Sequence, residues 1–112
     1  MPAYLIVETA IHDDSWLPGY TSRVHIIAEK HGGRYLSRTS NIEVVEGERG
    51  DVSAMVILEF PNTDAAKAFH ADPDYAEISA ARRAGSTSKF TVIDDQDVAG
   101  VIPYLPSGAA AS

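Results

Sequence analysis

The chain has 112 residues, 45% of them hydrophobic and 22% charged, with a net charge of −7 and no cysteine. That composition fits one globular domain able to bury roughly two-thirds of its unfolded surface; it excludes a disordered chain, a disulfide scaffold and thiolate chemistry. An acidic chain is a poor partner for nucleic acid or an anionic membrane, no apolar run is long enough to span a bilayer, and Met1-Pro2 leads into an alternating segment rather than a signal peptide, so a cytoplasmic location is expected.

Ala3 to Ile11 is rich in β-branched and apolar residues and reads as the first strand. His12-Asp13-Asp14-Ser15 offers helix caps. Trp16, Leu17, Tyr20, Val24, Ile27 and Ala28 then recur at three- and four-residue spacings, which predicts one helix to about Lys30. Pro18 is tolerated near its start, where backbone donors lack intrahelical partners. Gly32 or Gly33 closes the helix, with His31 placed to interact with its last carbonyls. Gly33 to Ser40 is the second strand. Asn41 to Ser53 is polar, apart from Val44-Val45, a pair that can extend a hairpin. Ala54 to Phe60 is the third strand, ended by Pro61.

Thr63 or Asp64 is expected to cap the next helix, which breaks and restarts at Asp72-Pro73-Asp74 and stops at Gly85. Lys89 to Ile93 is the last strand. The order β-α-β-β-α-β is that of a ferredoxin-like α+β fold with a four-stranded antiparallel sheet. Residues 1–95 form this domain. Residues 96–112 stand apart as an extended arm or tail, whose apolar residues from Val98 to Leu105 are separated by Pro103 and Pro106.

Two helices cover one face of such a sheet. Alternation places Leu5, Val7, Val56, Leu58 and Phe60 beneath them. The opposite face then carries Tyr4, Ile6, Glu8, Arg34, Leu36, Arg38, Met55, Ile57, Glu59, Phe90 and Val92. A patch this apolar marks an interface, so a face-to-face homodimer is expected. Glu8, Arg38 and Glu59 would be compensating charges inside it.

With that order in place, several segments resemble a family of small bacterial proteins, domain of unknown function number 1330, of the dimeric α/β-barrel group. They are His31-Gly32-Gly33-Arg34-Tyr35-Leu36-Ser37-Arg38, Glu43-Val44-Val45-Glu46-Gly47, Ile57-Leu58-Glu59-Phe60-Pro61, Ala65-Ala66 and Asp72-Pro73-Asp74-Tyr75. Arg82 stands where the family has an arginine in its second helix. Trp16-Leu17-Pro18-Gly19 departs from the family's unbroken polar helix. The resemblance implies a dimer. Its relatives by fold include cofactor-free monooxygenases, lactone isomerases and haem-dependent enzymes, a spread that does not fix a reaction.

The residues that could bind a ligand are Arg38 with Glu8 or Glu59, which could also be a structural ion pair, and Arg82 with Tyr75 on the second helix. Trp16, Tyr20, Tyr35 and Phe69 can line an aromatic pocket between sheet and helices, or simply be core. His25 stands one helical turn before Glu29, in a pairing more often found at a solvated surface. No strong metal-ligand spacing, phosphate loop or nucleophile motif is present, and His25 is poorly placed as a haem ligand, so no metal or cofactor is expected. The leading expectation is a dimer binding a small, partly apolar or anionic metabolite, with or without cofactor-free catalysis. The alternative is a non-catalytic binding or structural module.

Overall fold

Along β1 (Ala3–Ile11) buried and half-buried residues alternate, the period-two signature of a strand with one face against a core. The structure, a computed structural model, describes residues 1–100. After β1 come two short helices, α1 (Leu17–Thr21) and α2 (Val24–Lys30), then β2 (Arg34–Thr39), β3 (Ala54–Phe60), α3 (Thr63–Ala71), α4 (Pro73–Gly85) and β4 (Ser86–Asp94). The sheet order is β2-β3-β1-β4, with every neighbouring pair antiparallel. The fold is ferredoxin-like α+β. Leu5, Val7, Leu58 and Phe60 of the sheet pack with Val24, Ile27, Ala66, Phe69, Tyr75 and Ile78 of the helices in one core.

The single helix expected before β2 is interrupted at Ser22 and Arg23. Thr21 Oγ1 donates to the Leu17 carbonyl at 2.8 Å and Ser22 Oγ to that of Gly19 at 3.1 Å. Such side-chain bonds compete with the helix ladder and bend it. Gly32 then adopts φ +80°, and a Cβ there would lie 2.8 Å from the Pro61 ring; only glycine suits both demands.

The cap of α3 is Asn62, whose Oδ1 accepts from the Ala65 N–H at 2.8 Å, rather than Thr63 or Asp64. Asp72 caps α4 by accepting from the Asp74 N–H at 2.9 Å, with Pro73 in the first turn. Its other oxygen accepts from His31 Nε2 at 2.7 Å and Lys30 Nζ at 2.9 Å. His31 therefore serves the start of α4 and not its own helix. These partners, His31 first, then Lys30 and the Asp74 N–H, hold the Asp72 carboxyl well below the usual carboxylate range despite its burial.

The strand faces differ from simple alternation in two places. In β2 the pairing with β3 runs Tyr35 to Leu58, then Ser37 to Ile57 and Arg38 to Val56, with a bulge at Leu36. The extra residue reverses the parity, so Arg38 joins Tyr35 on the helix side. It forms no part of an ion pair with Glu8 or Glu59. In β4 the register places Phe90 opposite Val7 and Val92 opposite Leu5, so these two also face the helices; Lys89, Thr91 and Ile93 face away.

The open face is thus Tyr4, Ile6, Met55, Ile57, Thr91 and Ile93, with Glu8 registered against Lys89 and Glu59 accepting from Arg34 Nε at 2.8 Å. No strand forms between Asn41 and Ser53, and Val45 is 98% exposed. β4 ends at Asp94. Of the arm expected over 96–112, residues 101–112 lie outside the described ones.

Candidate functional site

The helix side of the sheet is not filled throughout. A cavity of about 140 Å³ lies between β1, β2, β3 and β4 on one side and α1, α2, α3 and α4 on the other. Its floor is the set of strand residues that alternation turns toward the helices, Leu5, Val7, Thr9, Val56 and Leu58, with Phe90 beside them. Its walls are aromatic. Trp16 and Tyr20 meet edge to face at 5.2 Å, as do Tyr20 and Tyr75 at 6.0 Å. Phe69 packs against the fully buried Tyr75 at 4.7 Å with the rings tilted by 40°.

Polar groups punctuate this apolar lining. The Tyr20 and Tyr75 hydroxyls are 2.6 Å apart. Burial first, and then Tyr75, pushes the Tyr20 phenol far above its ordinary value, so it stays protonated. Burial likewise raises Tyr35, with Arg38 opposing. Thr9 Oγ1 and Ser88 Oγ are paired at 2.7 Å. Two cations complete the set: Arg38 lies over the Tyr35 ring at 4.0 Å, and Arg82 over the Phe90 ring at 4.5 Å. Among the described residues, no carboxylate, imidazole or amine lines the cavity.

Arg82 is 5% exposed, on the buried face of α4. Its Nε is buried with no hydrogen-bond partner, as is the indole Nε1 of Trp16. A Cβ on Gly85 would meet the Trp16 ring and lie 2.7 Å from its Nε1, and Gly85 follows Arg82 by one helical turn. The Gly85 carbonyl also accepts from the N–H groups of His12 and Asp13, which fixes the chain entering α1. Beyond Arg82 a surface groove holds His70 and Arg83. Burial, then Arg83 and Arg82, lowers His70 from its usual value.

The cavity therefore collects Trp16, Tyr20, Tyr35, Arg38, Phe69 and Arg82 from the residues singled out in the sequence, with Tyr75 packed behind Tyr20 and Phe69. It leaves out Glu8 and Glu59, which lie on the opposite face of the sheet, and His25 of α2. Thr9, Ser88 and Phe90 are additional. Thr9 had a legible signal, a hydroxyl in phase with Leu5 and Val7 on the buried face of β1. Ser88 and Phe90 had none, because their side depends on a register fixed by another strand. No group of three or more metal-ligating side chains occurs among the described residues, and no helix there is long and apolar enough to cross a membrane.

Fold and cavity together define a ferredoxin-like α+β protein with a ligand-sized hollow between its layers. The chain belongs to the family described as Domain of unknown function (DUF1330), whose model matches residues 2–96. None of the curated proteins compared matches it. Among solved structures, a protein of unknown function from Rhodopseudomonas palustris is similar at 16% identity and a TM-score of 0.71, covering 86% of this chain and 83% of the other. SnoaB, a cofactor-independent oxygenase from Streptomyces nogalater, is 18% identical with a TM-score of 0.61, over 86% and 94%. A dimeric ferredoxin-like protein of unknown function from Jannaschia sp. CCS1 is 9% identical with a TM-score of 0.57, over 84% and 99%. At such identities the likeness is one of fold.

Proposed function

We propose that this chain forms a homodimer through its open sheet face and that each protomer binds one small, mostly apolar metabolite in the cavity on the helix side. The observation that carries this reading is the cavity itself, apolar and aromatic in its walls with few polar groups, the usual character of a small-molecule site. The oxygenase among the structural neighbours supports a cofactor-free enzyme on this scaffold, monooxygenase- or isomerase-like. The absence of a side-chain base among the described lining residues favours a second reading, a binding protein without proton-transfer chemistry.

Thermal unfolding against a panel of small acids, phenols and lactones tests the binding. A ligand present at a hundred times its dissociation constant stabilises the folded state by about 2.7 kcal/mol. Val56→Phe, which fills the cavity from its floor, is expected to abolish that stabilisation. The proposal fails if no compound stabilises the protein, or if Val56→Phe leaves the stabilisation unchanged. Turnover of a stabilising compound without added cofactor would distinguish the enzyme from the binding protein.

A further inference from the structure

We infer that the cavity takes its ligand as an anion, a single planar ring bearing a carboxylate or enolate, and that the guanidinium of Arg82 holds the charged end. The inference deepens the binding reading and rests on it.

A buried guanidinium with no carboxylate among the residues around it is costly, since a charge removed from water persists only when it is compensated. The stack on Phe90 compensates in part. It also fixes the plane of the guanidinium and leaves the Nε–H at its edge, buried and without an acceptor. A guanidinium on the wall of an apolar hollow, with no carboxylate among the described lining residues, matches an acceptor group with several lone pairs. A carboxylate or enolate is such a group, and arginine binds it in a plane.

The chemistry at that end also excludes competitors. An ammonium ligand would face Arg82 without a counterion among the described lining residues. A neutral amide offers fewer acceptor sites and brings donors of its own. Size limits the rest: about 140 Å³ is close to the ~150 Å³ of an apolar cavity known to admit benzene, which leaves room for one ring and not for a fused system. The chain's net charge of −7 repels anions at long range, so recognition must come from the guanidinium on the cavity wall.

Trp16 is the only tryptophan in the chain, so its fluorescence reports the site directly. Benzoate and its neutral isostere benzamide are titrated at constant ionic strength. Benzoate is expected to bind roughly ten- to a hundredfold more tightly, the range for a hydrogen bond to a charged group. Arg82→Met should erase that preference, whereas Arg23→Gln, which removes an equal charge from an exposed pair with Glu77, should leave it intact. Where Arg82→Met fails to fold, Arg82→Lys keeps the charge and lacks the Nε–H, and a loss of at least about tenfold is expected. Equal binding of benzoate and benzamide, both blocked by Val56→Phe, overturns the anion inference and leaves the cavity reading standing. A benzoate preference that survives both Arg82 variants also overturns it. If neither compound gives a saturable change in fluorescence or a thermal shift, the inference and the cavity reading both fail.

Discussion

Two residues show how closely the fold and the cavity share parts. Gly85 ends α4, accepts two N–H groups from the start of the β1–α1 connection and lies against Trp16 with no room for a methyl group. Gly85→Ala should therefore destabilise the protein by about 1–3 kcal/mol, as overpacking does, and should shift the Trp16 emission as the indole is displaced. Denaturant unfolding followed by fluorescence measures both. Asp72 joins α2 to α4 through His31 and Lys30 while capping α4. Its carboxyl titrates lower in the folded chain than the ordinary value of 3.8, so its contribution is present above that pH and fades as the pH falls below it. Asp72→Asn should lower the melting temperature at neutral pH by several degrees and make the loss of stability below pH 4 shallower. A pH series of melting curves on both proteins checks the sign.

At the scale of the element, what the sequence reveals depends on whether the information is local. β1 and β3 are bounded as expected, because β-branched alternation and Pro61 are properties of the segments themselves. The family motif around Gly32 is likewise local, and the left-handed turn it implies is present. The side on which Arg38 lies is not local. It follows from the bulge at Leu36, which depends on how β2 settles against β3. Phe90 and Val92 face the helices rather than the open side for the same reason, since β4 takes its phase from β1. Trp16, Tyr20 and Phe69 were legible from helical spacing, whereas Phe90 was not, and Arg38 reaches the cavity only through the bulge. Deleting Leu36 tests this account. A regular β2 can retain the Tyr35–Leu58 and Arg38–Val56 pairs, so far-UV circular dichroism and benzoate binding should both survive the deletion.

At the scale of the whole molecule, the one-sided sheet leaves Ile6, Met55, Ile57 and Ile93 on a face that no helix among the described residues covers, with Ile93 47% exposed. Pairing of two such faces is the isologous closure expected of a homodimer. Ile57 is central to the patch, and Ile57→Glu would bury an unpaired carboxylate in the interface. The expected result is a monomer at concentrations where the parent protein is dimeric, with the dissociation constant raised roughly a hundredfold or more. Sedimentation equilibrium reads the outcome directly, and a parent protein that is monomeric on its own would refute the dimer.

The same one-sidedness governs how two bound ligands would influence each other. Trp16, Tyr20, Arg82 and Phe90 come from a single chain and lie on the side away from the open face. In a face-to-face pair, the two hollows sit on opposite outer flanks with both sheets between them. No described side chain spans that distance, so filling one hollow gives the other no differential contact through which to respond. Calorimetric titration of the dimer should therefore show two equivalent sites with a Hill coefficient of about 1, and a response proportional to ligand rather than switch-like.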